Sequence, residues 1–291
     1  MKKVTVAATQ MQCVKSEEEN VEKAIKLIRQ AAHKGANIVL IQELFQSQYF
    51  CINSLKTENF LLAKPFENHP ILIKMSKLAS ELNVVLPISF FEKANNAHFN
   101  SLAIIDADGK ILGKYRKSHI PDGDGYFEKS YFNPGNTGFK VWNTKFGKVA
   151  AFICWDQWFP EVARIAALNG AEFIFYPTAI GGEPQQPDYD SSNHWQIVMQ
   201  GHAAANQIPV IASNRIGEEK GDNYTNAFYG RSFITNTKGE IVKEASRDKE
   251  EIILETFDLE ENRKFRRSWG VYRDRRVDLY ADLLSLEGSG K

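Results

Sequence analysis

Short apolar runs alternate with longer stretches whose apolar positions recur every third or fourth residue, a rhythm that predicts an α/β chain. Val4 to Ala8 reads as a buried strand. Ser16-Glu17-Glu18-Glu19 is a capping box opening a helix; Val21, Ala24, Ile25, Ile28, Ala31 and Ala32 share one of its faces, and Gly35 stops it. Ile38 to Ile41 is a second apolar strand, ending at Gln42-Glu43. This is a βαβ unit, which favours parallel strand pairing. A helix over 71–82 and a strand over 84–88 make a second unit.

The style then changes. Ser101 to Ile105, the turn Asp108-Gly109 and Ile111 to Tyr115 predict an antiparallel hairpin, followed by a long loop rich in Gly, Pro and aromatics over 117–138. A strand over 149–153 ends at Cys154, and a helix over 160–169 begins with Pro160 in its first turn. The alternation continues with a strand over 173–176, a helix over 194–206 and a strand over 210–213. A second hairpin over 232–244 and a last strand over 252–257 follow. No linker, repeat or low-complexity block interrupts this. Mixed strand order with helices outside predicts a layered α/β sandwich: one domain over 1–260, with 261–291 as a C-terminal arm whose end is frayed.

Composition narrows the classes. With 36 Lys+Arg against 36 Asp+Glu the formal net charge is zero, which argues against a polyanion as the main partner. Three Cys argue against a disulfide framework. No leader-like segment opens the chain and no run of 18 apolar residues occurs, so the expectation is a cytoplasmic protein without a membrane span. The six His show no zinc spacing, Gly217 to Gly221 lacks phosphate-loop spacing, and Ser47 and Ser118 lack a His/Asp partner pattern. Arg263 to Arg276 holds seven basic residues among aromatics. With zero overall charge this reads as an arm packing on acidic surface of its own domain or of a partner subunit, not as a nucleic-acid patch.

Three polar residues end otherwise apolar strands or follow them closely: Glu43, Lys117 and Cys154. They are chemically complementary, since a thiol is a nucleophile, a carboxylate can deprotonate it, and an ammonium can stabilise an oxyanion. Cys154 sits at a strand, sharp turn and helix start, the outline of a nucleophile elbow with its side chain exposed and a helix N-terminus favouring thiolate. Cys13 and Cys51 lack that setting and read as structural.

Ile153-Cys154-Trp155-Asp156-Gln157-Trp158-Phe159-Pro160-Glu161 resembles the nucleophile motif of the carbon–nitrogen hydrolase (nitrilase-like) superfamily, as do Gln42-Glu43-Leu44-Phe45 and Lys114 to Pro121 around Lys117. Gly123 to Gly138, Pro177 to Pro184 and His194 to Ala203 bring the chain closest to the branch that hydrolyses N-carbamoylputrescine to putrescine, ammonia and carbon dioxide. The resemblance implies a four-layer αββα sandwich, a homo-oligomer built from dimers, and no metal or organic cofactor. It implies Cys154 as nucleophile, Glu43 as general base, Lys117 as the transition-state cation, Glu128 as the acid that orients Lys117 and the substrate, and the Trp155 backbone N–H as an oxyanion donor. Within the superfamily the alternatives are an N-carbamoyl-β-alanine hydrolase and an ω-amidase; the alternative of another class is a catalytically silent binding protein that uses the Arg-rich tail.

A ureido-amine needs acids or π-faces for its ammonium; a ureido acid needs a cation for its carboxylate. By the same resemblance Tyr49, Asp122 and Glu183 are the candidates for the amine end. Asp122 also reads as a turn acid bonded to its own backbone. Arg215 is the counter-candidate, able to clamp a carboxylate or to form a structural ion pair. His119 and His202 read as structural histidines close to the site.

Overall fold

The computed structural model describes residues 3–288, so the chain end expected to fray, beyond Gly288, lies outside the described residues. The first half builds one sheet. β1 (Lys3–Gln10) leads through α1 (Glu17–His33) to β2 (Ile38–Leu40), which pairs parallel to β1. The Ser16 hydroxyl accepts from the Glu19 N–H, as the capping box predicts. α2 (Pro70–Leu82) leads to β3 (Leu86–Ala94), β4 (Ala97–Ile105) and β5 (Ile111–Arg116), an antiparallel meander. A parallel bridge between Ile38 and Val85 joins the meander to β2.

The second half builds another sheet, ordered β13-β12-β9-β8-β7-β6. Its strands are β6 (Trp142–Thr144), β7 (Gly147–Ala151), β8 (Phe173–Pro177) and β9 (Val210–Ser213), with α3 (Pro160–Leu168) and α4 (Ser192–Asn206) as crossovers. A separate hairpin, β10 (Ile216–Lys220) and β11 (Thr225–Tyr229), precedes β12 (Phe233–Thr235) and β13 (Ile241–Glu244). β14 (Glu251–Asp258) returns to the first sheet, antiparallel to β1, and α5 (Leu259–Trp269) follows, running across the arm boundary expected at 260.

The strands are apolar on both faces because each sheet is covered twice. On β1, Val4, Val6 and Ala8 join a cluster with Phe173, Phe175 and Val210 of the facing sheet. Ala7 points the other way, onto Val21, Ala24 and Ile28 of α1. The result is the expected four-layer αββα sandwich, with α1 and α2 outside one sheet and α3 and α4 outside the other.

Two hairpins escaped the sequence pattern. β3 runs on to Ala94 instead of ending near Ile88, and turns through Asn95, whose φ is +54°. Buried Glu92 breaks the apolar run there, and it is tolerated because Arg116, Lys114 and Ser101 all bond to its carboxylate. The β10–β11 pair is masked in the same way by Glu219, buried against Arg215.

Candidate active site

Glu43, Lys117 and Cys154 stand just beyond the carboxyl ends of β2, β5 and β7, and the sandwich brings these three ends together. Lys117 is fully buried. Its Nζ donates to Glu43 Oε1 at 2.9 Å and to Glu128 Oε1 and Oε2 at 2.8 and 2.7 Å. Burial alone would lower its pKa, but the charges of Glu128 and Glu43 outweigh that and hold the ammonium well above its usual range. One ammonium cannot neutralise two carboxylates. Burial therefore pushes the Glu128 carboxyl up, with Lys117 opposing and Glu43 adding to the rise. The Lys117 backbone is held by its N–H to Asn100 O at 2.9 Å and by Gly135, whose N–H bonds to Lys117 O at 2.8 Å. Only glycine fits at 135, since a Cβ there would lie 2.1 Å from Arg116 O.

Glu43 is also fully buried. Its Oε1 accepts from Lys117 and, at 2.6 Å, from Asn100 Nδ2, while Oε2 has no hydrogen-bond partner among the described residues. Tyr49 donates its hydroxyl to Glu128 Oε1 at 2.7 Å. The Tyr49 ring lines the cavity while its hydroxyl is committed to Glu128, which leaves the ring face as what it can offer a substrate.

Cys154 has φ +43°, a left-handed conformation for a residue with a side chain, and begins a single helical turn that ends at Trp158. Asp156 holds this elbow. Its Oδ2 accepts from Ile153 N at 3.0 Å and Tyr115 OH at 2.8 Å, and its Oδ1 from His119 N at 3.0 Å. Two expectations change here. The thiol is buried, not exposed, with 5% of its surface accessible. Burial first, and Glu43 second, push its pKa well above the ordinary thiol value against the pull of Lys117, so it rests as a thiol and needs a base. A five-residue turn is too short to reverse this.

Above Cys154 opens a cavity of about 550 Å³. Asp122, Asp124, Glu128 and Glu183 line it, and among the described residues no Lys or Arg does. Burial raises the Glu183 carboxyl. Trp155 and Trp158 form another side of the cavity, and the Trp155 ring is 40% exposed. Arg215 is absent from this lining. It spends its guanidinium on Glu219 Oε1 at 2.8 Å and on the carbonyls of Glu43 and Leu44 at 2.8 and 3.1 Å, bracing the segment that carries Glu43.

A family model for carbon–nitrogen hydrolases matches residues 5–267. The chain belongs to the carbon–nitrogen hydrolase family. It is 58% identical over 290 residues to an N-carbamoylputrescine amidase of Solanum lycopersicum, covering 98% of this chain and 96% of that one. It is 52% identical over 284 residues to a citrullinase of Francisella tularensis, covering 98% and 99%. A carbon–nitrogen hydrolase from Helicobacter pylori G27 superposes with a TM-score of 0.91 at 39% identity, covering 98% and 99% of the two chains. The protein is thus an amide hydrolase.

Several residues of this carbon–nitrogen hydrolase site carried no pattern in the sequence. Asn100 lies inside an apolar strand, Asp156 follows the nucleophile by two, and Asp124 and Tyr126 lie in the long loop. Tyr126 accepts from the Gly181 N–H and donates to Gly182 O, both at 3.1 Å, fixing the segment that presents Glu183. His194 also lines the cavity. His119 Nδ1 pairs with Asp156 Oδ1 at 2.7 Å, and His202 Nε2 with Gln157 O at 2.8 Å. Among the described residues no group of three or more His, Cys, Asp or Glu is disposed to hold a metal ion, and no helix is long and apolar enough to cross a membrane.

Proposed function

We propose that this chain hydrolyses N-carbamoylputrescine to putrescine, ammonia and carbon dioxide. One observation carries the substrate choice: the cavity above Cys154 is lined by Asp122, Asp124 and Glu183 and, among the described residues, by no Lys or Arg. Such a wall attracts an ammonium and repels the free carboxylate of a ureido acid. The N-carbamoylputrescine amidases at 56–58% identity support the same substrate. A second reading, citrulline, is favoured by the citrullinase relative; that substrate carries both an ammonium and a carboxylate at the end opposite its ureido group.

A ureido carbonyl is a poor electrophile because two nitrogens donate into it, so its hydrolysis needs a strong nucleophile and preorganised oxyanion donors. In the proposed sequence, Glu43 Oε2, free of hydrogen bonds, takes the Cys154 proton as sulfur attacks the carbonyl carbon. Lys117 and the Trp155 N–H receive the oxyanion. Glu128 holds Lys117 from the opposite side and faces the substrate nitrogen. Glu43 then delivers the proton to one ureido nitrogen, which leaves, and a thioester remains. Water deprotonated by Glu43 cleaves it to a carbamic acid or carbamate, which loses carbon dioxide and releases the second nitrogen. One water is consumed overall.

The working form is proposed to be a cytoplasmic homo-oligomer made of dimers, independent of nucleic acid. The deciding experiment measures ammonia release from N-carbamoylputrescine, citrulline and N-carbamoyl-β-alanine by wild type and Cys154→Ala. N-carbamoylputrescine is expected to give the highest kcat/KM, and Cys154→Ala to be inactive on all three. A preference for either carboxylate-bearing substrate overturns the assignment. Glu183→Gln is expected to raise KM for the amine substrate roughly 10- to 100-fold, the worth of a charge-assisted hydrogen bond.

A further inference from the structure

Asn100 lies inside β4, one residue past the Ser101–Arg116 pair where β5 ends and next to Lys117, and it touches two members of the cluster by different means. Its backbone carbonyl accepts the Lys117 N–H, and its side-chain amide donates to Glu43 Oε1 at 2.6 Å. We propose that Asn100 is a positioning residue that, with Lys117, occupies one oxygen of Glu43 so that the other is left free to take the Cys154 proton. This rests on the reading of Glu43 as general base.

The two oxygens of Glu43 meet different surroundings. Among the described residues, Oε1 accepts two hydrogen bonds, from Asn100 and Lys117, and Oε2 accepts none. With two donors converging on Oε1, rotation of the carboxylate would trade two charge-assisted bonds for none, so the free oxygen is held in one direction. Lys117 alone cannot do this, because its ammonium is shared with both oxygens of Glu128. The orientation of the Asn100 amide is settled by its neighbour, since a carboxylate oxygen repels a carbonyl and accepts an N–H.

The other half of the same amide points to function over fold. Asn100 is fully buried, and its Oδ1 has no hydrogen-bond partner among the described residues. A buried acceptor left unmade weakens a fold, and an apolar side chain of equal size would suit this strand better. Stability given up at a residue whose one side-chain hydrogen bond goes to the general base is the mark of a site tuned for activity.

The test compares Asn100→Leu, which keeps the volume and removes the donor, with wild type and Glu43→Gln. Three readouts are taken: kcat and KM on the best ureido substrate, the rate at which iodoacetamide alkylates Cys154, and the melting temperature. Alkylation requires the thiolate, which forms when Glu43 takes the proton and so loses the charge that opposes it, and the alkylation rate therefore reports the base without depending on which substrate is right. Asn100→Leu is expected to lose about 100-fold in kcat, the cost of a misplaced catalytic group, with KM within threefold of wild type. Alkylation of Cys154 slows in parallel while the melting temperature holds or rises, a combination that a purely structural residue would not produce. If Asn100→Leu fails to fold, Asn100→Ala carries the same comparison. Should the folded Asn100 variant keep kcat and alkylation within threefold while Glu43→Gln loses both, the positioning role is wrong and the base survives. Should Glu43→Gln itself keep both, the base is wrong and the positioning role goes with it.

Discussion

Cys154 acquires its chemistry from its surroundings. A thiol raised by burial and by Glu43, at the foot of an acid-walled cavity, is expected to discriminate sharply between alkylating agents. Iodoacetamide is predicted to react at least about tenfold faster than iodoacetate, since a cleft of one sign alters local ion concentration by that much or more. Equal rates would show that the acids do not act on the cavity. Tyr49→Phe removes one donor from Glu128 and is predicted to lower kcat about tenfold with KM little changed, measured on the same substrate. At this scale the sequence was informative wherever a polar residue interrupts an apolar run, as at Glu43, Lys117 and Cys154. It was silent where the surroundings give a residue its role. Nothing in the spacing of Asn100 or Asp156 marks a partner that is distant along the chain and adjacent in space.

β5 is held against its sheet by a clamp on Glu92, which lies past the strand over 84–88 that the apolar run predicts. Glu92 accepts from Arg116 Nε and Nη2 at 2.9 and 2.7 Å, from Ser101 at 2.6 Å and from Lys114. Burial would raise this carboxyl, but the hydrogen bonds from Arg116, Lys114 and Ser101 win and hold it at about 2, below its ordinary 4.5. Its contribution to stability is therefore complete above pH 4.5 and lost as pH falls toward 2. His69, which precedes α2, is held at about 4 by burial, below its ordinary 6.5, so it is neutral in the fold and destabilises it between pH 6.5 and 4, where the unfolded chain binds the proton more tightly. The melting temperature is predicted to fall across both windows. Glu92→Gln should flatten the lower one at a cost of about 2 kcal/mol near neutrality, and His69→Leu the upper one. An unaltered profile in His69→Leu would remove that residue from the account. Elements with clean periodicity, such as α1 and β1, were legible to within a few residues, whereas strands carrying a buried, paired acid were not, because hydrophobicity alone does not register an ion pair.

The outer faces of α3 and α4 expose Ile165, Leu168 and Ile197, and the arm beyond α5 exposes Val277, Leu279, Leu283, Leu284 and Leu286. Apolar side chains gathered on outer surfaces favour burial against another copy. The double substitution Leu168→Glu with Ile197→Glu is accordingly predicted to lower the molar mass seen by light scattering, and an unchanged mass would place the contact elsewhere. The basic arm is partly accounted for within the chain: Arg263 bonds to Glu172 through its Nε at 2.7 Å, and Arg266 reaches the carbonyls of Ala171 and Gln207, both at 3.4 Å. The sequence by itself determined the alternation of strands and helices, the residues that end the strands and the resemblance that they carry, because periodicity and capping are local properties of the chain. Tertiary structure decided that Cys154 is buried with its thiol pushed above the ordinary range, that Arg215 is committed to the backbone around Glu43, and that Asp122, Asp124 and Glu183 line one cavity while the total charge stays at zero. Those outcomes depend on which strand ends meet when two sheets stack, and convergence in space is set by strand order and packing across distant parts of the chain, which no local window of residues contains.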